Sequence, residues 1–300
     1  MVKHVDIKGI ICPILTPMNE DESVSEKELR NQVNRMIAAG IHGIFAFGTN
    51  GESYILRDEE KEFILSVIVD EAKGRVPVYA GSGCAGTKDT IRMSQKAKEL
   101  GADVLSIVTP FFAQASQDEL YEHYVEVARA VDLPIVLYNI PARAGNALSP
   151  ALVQRLADVD NIVGAKDSSG NFDNMLQYIE RTKGKNFAIL SGNDSLILWN
   201  LLAGGTGGIA GCSNVFPENM ANIYNAYIAG DLDKARLYQD NIRSFRDCFK
   251  YGNPNTIVKT ATAMLGYPVG KCRSPFNRLS AEGIAAIQKV LDDYKALGIQ

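Results

Sequence analysis

Short apolar runs alternate with amphipathic stretches along most of the chain. The apolar runs are typical of strands that are buried on both faces, and the stretches between them repeat apolar residues at helical spacing. The strand-like runs are residues 10–17, 41–48, 76–81, 103–109, 134–139, 162–166, 187–192 and 207–213. The first helix is predicted to open at a capping box of Ser25 with Glu28 and to stop at Gly40. Alternating strands and helices indicate parallel βαβ units, and eight of them predict a closed (β/α)8 TIM barrel of the α/β class.

A doubly wound open sheet is the alternative architecture for such a pattern. It predicts a glycine-rich dinucleotide fingerprint after the first strand, and Thr16-Pro17-Met18-Asn19 is not one. From about residue 217 the chain shows only helical periodicity, at residues 221–229, 232–251, 256–265 and 281–297. No linker-like stretch precedes this part. We therefore predict a catalytic barrel of residues 1–216 and a C-terminal helical extension of residues 217–300 packed on it.

Composition and charge exclude several classes of function. The chain has 300 residues, is 46% apolar and 22% charged, and has a net charge of −4, which argues against nucleic acid or an anionic membrane surface as the main partner. No apolar run approaches the roughly 18 residues of a membrane helix, and the first residues lack the apolar centre of a signal peptide. The five cysteines form no CxxC pair, so we expect a reduced, cytoplasmic protein.

Polar and glycine-rich segments follow the predicted strands at their C-terminal ends, where barrel enzymes of this kind carry their chemistry. This predicted rim contains no histidine, because His42 precedes a strand and the other histidines lie in the N-terminal arm and in a helix. We therefore predict no Ser/His/Asp triad, and no set of residues has metal-ligand spacing. The rim segments are Thr16, 48–52, 81–83, Thr109-Pro110, Tyr138-Asn139, Lys166, 191–194 and Ser213.

Lys166 ends the apolar strand Ile162-Val163-Gly164-Ala165 and is followed at once by a polar turn. A lysine at such a rim has its stem in apolar packing and its amine in a partly desolvated space. Desolvation favours the neutral amine, whose lone pair can attack a carbonyl carbon. The alternative is an ordinary rim lysine that is hydrated or paired with Asp167.

Three further features of the rim each have a functional interpretation and an ordinary structural one. Gly48-Thr49-Asn50-Gly51 follows a strand and can turn backbone N–H groups inward toward a carboxylate or phosphate, or it is only a tight turn. Tyr138 can shuttle protons near a lysine, or it is a hydrogen-bonded core residue. Arg143, in the loop that follows, can pair with a carboxylate, or it is a solvated loop arginine.

Taken together, these segments resemble the dihydrodipicolinate synthase / N-acetylneuraminate lyase family of class I aldolases, over nearly the whole chain. The resemblance rests on Gly48-Thr49-Asn50-Gly51-Glu52, Tyr138-Asn139-Ile140-Pro141, residues 164–170, Ser191-Gly192-Asn193-Asp194 and Gly207-Gly208-Ile209. It implies a Schiff base between Lys166 and pyruvate or another 2-oxo acid, with Tyr138 as proton relay and Thr49 hydrogen-bonded to it. It further implies that the Thr49 and Asn50 amides hold the carboxylate, and that the carbonyls of Gly192 and Ile209 frame the pyruvate end. No metal or organic cofactor is implied, and the expected assembly is a homotetramer built as a dimer of dimers.

The sequence also departs from the well-known members of that family. Asn50 replaces the second threonine of the synthases' GTTGE, and Phe112 stands where they have a tyrosine that completes a proton relay across a subunit contact. Ser195 follows Asp194, where the lyases have a glutamate. Arg143 matches the arginine that receives the aldehyde's carboxylate in the synthases.

The predicted function is therefore reversible aldol cleavage or condensation of a 4-hydroxy-2-oxo or 2-oxo-3-deoxy acid, with pyruvate or a 2-oxo acid and an aldehyde as partners. The motif GTNGE and the segment 266–275 resemble those of aldolases with such substrates. The alternative is a 4-hydroxy-tetrahydrodipicolinate (dihydrodipicolinate) synthase. A more distant alternative is a non-catalytic barrel that binds a 2-oxo acid, which would typically have lost Lys166 or Tyr138.

Overall fold

The computed structural model describes residues 4–299, so that residues 1–3 and residue 300 of the predicted domains lie outside it. Eight parallel strands pair in sequence order, and the last pairs with the first through Gly9 with Gly207 and Ile10 with Gly208. The predicted closed barrel is confirmed, and the open sheet is wrong because no strand is left at an edge. The strands are β1 (Gly9–Pro13), β2 (Gly43–Ala46), β3 (Val78–Ala80), β4 (Val104–Val108), β5 (Ile135–Asn139), β6 (Ile162–Asp167), β7 (Ala188–Ser191) and β8 (Gly207–Ile209).

Helices follow the strands as the pattern predicted. Up to β8 they are α1 (Glu26–Ala38), α2 (Asp58–Ala72), α3 (Thr87–Glu99), α4 (Gln117–Ala130), α5 (Pro141–Ala144), α6 (Pro150–Leu156), α7 (Phe172–Arg181) and α8 (Ile197–Ala203). After β8 they are α9 (Pro217–Ile228), α10 (Leu232–Asn241), α11 (Arg243–Asp247), α12 (Pro254–Met264) and α13 (Ala281–Ala296). Short 3-10 turns span Thr49–Gly51, Asp194–Leu196, Gly211–Asn214 and Cys248–Tyr251.

Three local predictions were wrong. The Ser25 side chain makes no capping hydrogen bond, because the Glu28 carboxylate accepts from Asn31 and does not reach back to the cap. The loop after β5 begins with the short helix α5, which Gly145 ends in the left-handed region at φ 80°. The single helix expected at residues 232–251 is divided near Ile242 into α10, α11 and a 3-10 turn, and this bend brings α11 against the loop after β7.

The barrel interior is a packed apolar core. One buried cluster fills it with large side chains from the strands, and a second, larger cluster lies between the strands and the surrounding helices. Interior side chains close the barrel below its C-terminal rim, so polar groups are accessible only at the ends of the strands. The interior residues include Ile11, Phe45, Tyr79, Val104, Val136, Leu190 and Ile209.

The C-terminal extension is in close contact with the barrel. Helix α9 packs on β1 and α8 as well as on α10. Helix α12 lies against the 3-10 turn Thr49–Gly51 at the rim. The boundary between residues 216 and 217 stays a prediction, since α9 contacts both parts. None of the helices within residues 4–299 is long and apolar enough to cross a membrane.

Candidate active site

Lys166 lies against Tyr138 at the mouth of the barrel. The two residues are register partners on β6 and β5. The Lys166 Nζ lies 3.8 Å from the centroid of the Tyr138 ring and 5.4 Å from that of the Phe45 ring, and the lysine is only 4% exposed. Two aromatic rings and little water therefore surround this amine.

Asp167 does not pair with Lys166. Side chains alternate along a strand, so Asp167 points to the opposite face of β6. Its carboxylate accepts hydrogen bonds from Asn139, Ser169 and Asn174. The interpretation of Lys166 as a rim lysine paired with Asp167 is therefore wrong.

Tyr138 and Thr49 form a hydrogen-bonded pair beside the lysine. Their hydroxyl oxygens are 3.1 Å apart, and either can donate. Burial raises the pKa of Tyr138, but the charge of Lys166 and hydrogen bonds with Thr49, Lys166 and Ser168 outweigh that effect. The pKa of Tyr138 therefore lies below its ordinary value, which eases proton exchange in both directions.

The turn Thr49–Gly51 lies at the end of β2, close to Tyr138. Within residues 4–299 the turn's own hydrogen bonds begin at the Gly51 N–H, which donates to the Gly48 carbonyl. The first N–H groups of such a turn have no partner inside it. The side-chain amide of Asn50 lies close to Gly211, just beyond β8. The Thr16 hydroxyl, at the end of β1, donates to the Gly51 carbonyl at 2.7 Å.

The backbone of Gly192 lies close to the side chain of Lys166. A Cβ atom at this position would stand 2.9 Å from Lys166 Cε and 1.9 Å from Ser168 Oγ. Ile209, on the adjacent strand β8, is buried in the barrel interior. The geometry therefore brings Gly192 next to the predicted nucleophile and puts Ile209 one strand further round the barrel.

We expect Gly192→Ala to lower turnover by roughly 10- to 100-fold, because the new methyl group must displace the lysine stem or Ser168 and misplacement of about 1 Å has effects of that size. The measurement is kcat together with the midpoint of thermal unfolding. Gly86→Ala is the control, since a Cβ at Gly86 meets nothing within 4 Å. Equal kcat in the two variants would contradict this placement of Lys166.

A cavity of about 610 Å³ opens beside Thr49 and Tyr138. Thr49, Tyr138 and Phe45 line it, together with Arg143 on α5 and Phe112 on the loop after β4. Arg143 is exposed, and its guanidinium makes no ion pair within the described part of the chain. It is thus available to an anion that enters the cavity.

The match to known proteins covers this whole structure. Residues 6–294 fit the model of the dihydrodipicolinate synthetase family. The chain belongs to this family. It is 36% identical over 296 residues to a 4-hydroxy-tetrahydrodipicolinate synthase of Methanopyrus kandleri, which covers 98% of this chain and 97% of that protein. Membership makes the chain a lyase of the Schiff-base aldolase type and overturns the non-catalytic alternative.

Solved structures of family members show the same fold. The chloride-inhibited dihydrodipicolinate synthase of Acinetobacter baumannii, complexed with pyruvate, superposes with a TM-score of 0.93 at 33% identity, over 97% of this chain and 99% of that one. YagE, a prophage protein of the family from E. coli K12 in complex with pyruvate, gives a TM-score of 0.92 at 31% identity, over 96% and 99%.

Two positions where the sequence departs from the family pattern have a clear structural setting, namely Phe112 and the segment in which Ser195 follows Asp194. Phe112 is fully exposed and has a left-handed backbone at φ 80°, a conformation that is rare for a bulky residue and typical of functional sites. Asp194 is buried, and its two carboxylate oxygens accept from Arg246 on α11 and from the Cys212 N–H. Its carboxylate is therefore engaged away from the cavity.

Some predicted rim groups serve the loops themselves. The Thr109 hydroxyl donates to the Asn146 carbonyl in the next loop, whereas the hydroxyls of Ser191 and Ser213 donate to carbonyls of their own loops. Among residues 4–299 no group of three or more His, Cys, Asp or Glu side chains is placed to hold a metal ion.

Sequence reasoning assigned no role to four residues of the site. Ser168 is hydrogen-bonded to the Tyr138 hydroxyl, and its side chain lies against Gly192. Behind the Thr49 turn, Asn255 donates to the Thr49 carbonyl and Lys259 donates to the Glu52 carboxylate. The sequence did contain a signal for Lys259, because helical spacing puts this lysine on one face with Asn255 and Thr262, next to the apolar Val258.

Proposed function

We propose that the Lys166 amine attacks the ketone carbon of pyruvate, or of another 2-oxo acid, to form an imine. The observation that carries this proposal is the buried Lys166 Nζ, 3.8 Å from the ring of a tyrosine whose hydroxyl meets Thr49. The pyruvate complexes of two structurally similar family members support the choice of 2-oxo acid.

In this mechanism Tyr138 carries protons to and from oxygen. Attack of the amine gives a carbinolamine, whose hydroxyl accepts a proton and leaves as water to give the protonated imine. Loss of a proton from the adjacent carbon gives an enamine, which attacks the aldehyde carbon and forms the new C–C bond. The resulting alkoxide takes a proton from the Tyr138 hydroxyl, which regains through Thr49 the proton lost from the carbon. Water then adds to the imine carbon, and collapse of the carbinolamine breaks the bond to the Lys166 nitrogen and releases the product. Aldol cleavage is the same sequence in reverse.

The 2-oxo acid's carboxylate is proposed to bind the backbone N–H groups of Thr49 and Asn50. These groups begin the turn after β2, on the same side of the barrel mouth as Tyr138. The carbonyls of Gly192 and Ile209 then frame the other end of the bound pyruvate. The close approach of Gly192 to Lys166 supports its part in this arrangement.

For the second substrate we propose an aldehyde that bears a carboxylate. Arg143 lines the cavity that also contains Tyr138 and makes no ion pair within residues 4–299, so a carboxylate there gains a charge-assisted pair. Cleavage or formation of a 4-hydroxy-2-oxo acid with a second carboxylate, on the part that comes from the aldehyde, fits this chemistry. A 2-oxo-3-deoxy sugar acid, whose aldehyde is neutral, would leave the arginine without an anion.

Synthesis of 4-hydroxy-tetrahydrodipicolinate is the second candidate. The names of several relatives favour it, and its aldehyde also carries a carboxylate. Phe112 argues against it, because a phenyl ring offers no hydroxyl where the synthases are expected to have a tyrosine.

We further propose a homotetramer in a reducing, cytoplasmic location. The fully exposed Phe112 ring, held in a left-handed backbone beside the cavity, supports a subunit contact at the mouth of the site. All five cysteines are free thiols, which supports the reducing compartment.

We expect Arg143→Ala to lower kcat/KM roughly 10-fold or more for a carboxylated acceptor, because hydrogen bonds to charged groups contribute about 1.5–3 kcal/mol. The pyruvate KM should be nearly unchanged, since that carboxylate is assigned to the Thr49 turn. Arg155→Ala is the control, because Arg155 pairs with Asp118 on the helices outside the cavity. If the Arg143 variant lost pyruvate binding as well, its assignment would be wrong.

A substrate panel tests the function itself. The purified chain is incubated with pyruvate and aldehydes with and without a carboxylate, and in reverse with 4-hydroxy-2-oxo and 2-oxo-3-deoxy acids. We expect turnover to be greatest with a carboxylated aldehyde or its aldol product. Preference for neutral sugar aldehydes would reject the acceptor proposed here, and formation of 4-hydroxy-tetrahydrodipicolinate at the highest kcat/KM would select the second candidate.

A further inference from the structure

The turn that carries Thr49 is held from behind by helix α12 of the C-terminal extension. Asn255 and Lys259 are one helical turn apart, so they project from the same face of α12. The Asn255 amide donates to the Thr49 carbonyl at 2.6 Å, and the Lys259 ammonium donates to the Glu52 carboxylate at 2.7 Å. One helix face thus grips both ends of the segment from Thr49 to Glu52.

The Glu52–Lys259 pair lies in the interior of the molecule. Its side chains are 0% and 1% exposed. The second carboxylate oxygen of Glu52 accepts from the Arg273 N–H at 2.8 Å, so both oxygens are satisfied. Glu52 itself has a left-handed backbone at φ 62°, which a non-glycine residue adopts only where its surroundings impose it.

A buried ion pair of this kind is weak evidence for stability, because desolvation of two charges offsets much of their attraction. What the pair does fix is geometry, since it joins a barrel loop to a helix 207 residues further along the chain. The loop concerned carries the hydroxyl that meets Tyr138.

This loop needs external anchors. Strand β2 ends at Ala46, so the segment from Thr49 to Glu52 lies outside the ladder of the barrel sheet. Its hydrogen bonds to other parts of the chain include those from Asn255 and Lys259, the Thr16 hydroxyl on the Gly51 carbonyl and the Arg273 N–H on Glu52. Thr49 and Tyr138 are 3.1 Å apart, and a shift of about 0.5 Å would take the pair beyond hydrogen-bond distance.

We propose that Asn255 and Lys259 are positioning residues of the catalytic site, which hold the Thr49 hydroxyl within hydrogen-bond distance of Tyr138. The extension thereby contributes to catalysis through the Thr49 turn, although Asn255 and Lys259 contact Thr49 and Glu52 from behind. This inference rests on the proposed function of Lys166, Tyr138 and Thr49.

A double-mutant cycle between Asn255 and Thr49 tests the proposal. Asn255→Ala removes the donor to the Thr49 carbonyl without leaving a buried charge. We expect it to lower kcat roughly 10- to 100-fold in the parent chain, the range for a small misplacement of a catalytic group. In a Thr49→Val background the hydroxyl is already absent, so the same change should lower kcat by no more than about 2-fold. In a Thr49→Ser background, which keeps a hydroxyl, the full loss should return.

Two controls separate positioning from general damage. Asn219→Ala removes a buried amide that donates to the Tyr238 carbonyl at 2.8 Å, also within the extension, and should leave kcat within about 2-fold. Asn255 also donates to the Tyr54 hydroxyl at 3.1 Å, so Tyr54→Phe shows whether loss of that bond matters. Thermal unfolding midpoints of all variants identify any that fold poorly.

Lys259 is tested with its partner. Lys259→Met alone leaves an uncompensated buried Glu52 carboxylate and is expected to fold poorly, so it is made together with Glu52→Gln. We expect the double variant to fold and to show a kcat loss that again largely disappears in the Thr49→Val background.

The outcomes are decisive. If the kcat losses from Asn255→Ala and Thr49→Val multiply, the two residues act independently and the positioning role is rejected. If the unaltered chain forms no borohydride-trapped adduct with pyruvate, the proposed function fails, and the positioning role fails with it. A normal adduct with multiplying losses rejects only the positioning role.

Discussion

Lys166→Ala is expected to abolish both the borohydride-trapped adduct with pyruvate and turnover. The Lys166 amine forms the imine that makes the adjacent carbon of pyruvate acidic, and alanine has no group that can form this imine. Removal of a covalent nucleophile lowers kcat by several orders of magnitude, so we expect a loss on the order of 10⁴-fold or more. Mass spectrometry of the reduced protein should place the adduct on Lys166 in the unaltered chain and find none in the variant.

A second lysine provides a matched control for this experiment. Lys61, on α2, lines the cavity that Thr49 and Tyr138 also line, and it lies 3.6 Å from the Asp58 carboxylate. It lacks the flanking aromatic rings of Lys166, so Lys61→Ala should retain the adduct. An adduct on Lys61, or normal turnover in Lys166→Ala, would end the Schiff-base proposal at Lys166.

The neighbourhood of Lys166 and Tyr138 could be predicted from the sequence for a physical reason. Tyr138 lies at the end of the fifth apolar run and Lys166 at the end of the sixth. Neighbouring parallel strands of a barrel place such ends side by side. The structure makes them register partners. What the pattern could not supply was the end of β6, because the predicted strand stopped at Lys166 and the alternation that turns Asp167 away holds only where the strand includes Asp167.

The anchors behind the Thr49 turn could not be predicted. Asn255 and Thr49 are 206 residues apart in sequence, and local periodicity says nothing about which helix of the extension reaches which loop. A local motif also failed where another local hydrogen bond competes. Ser25 and Glu28 have the spacing of a capping box, but the Glu28 carboxylate accepts from Asn31, whereas the same spacing at Ser116 and Glu119 does form the box.

Tyr138→Phe is expected to slow imine formation and the aldol step by roughly 10²- to 10⁴-fold, the usual range for a general acid–base group. The ring that packs over the Lys166 amine stays in place, so thermal stability should change little. The measurements are kcat and the pre-steady-state rate of adduct formation with pyruvate, both compared with Tyr79→Phe. Tyr79 is a buried barrel tyrosine whose hydroxyl has no partner within residues 4–299, so its loss should leave kcat unchanged.

The pH dependence adds a signed test of the same residue. The Thr49 hydrogen bond and the Lys166 charge both lower the pKa of Tyr138 against the opposing effect of burial. Thr49→Val removes one of the lowering contributions, so the pKa of Tyr138 must rise. If the alkaline limb of the rate profile reports Tyr138, it should move to higher pH in Thr49→Val and vanish in Tyr138→Phe. A Tyr138→Phe protein that unfolds readily while each folded molecule turns over at the normal rate would show instead that Tyr138 is a core residue, and the relay would have to be sought elsewhere.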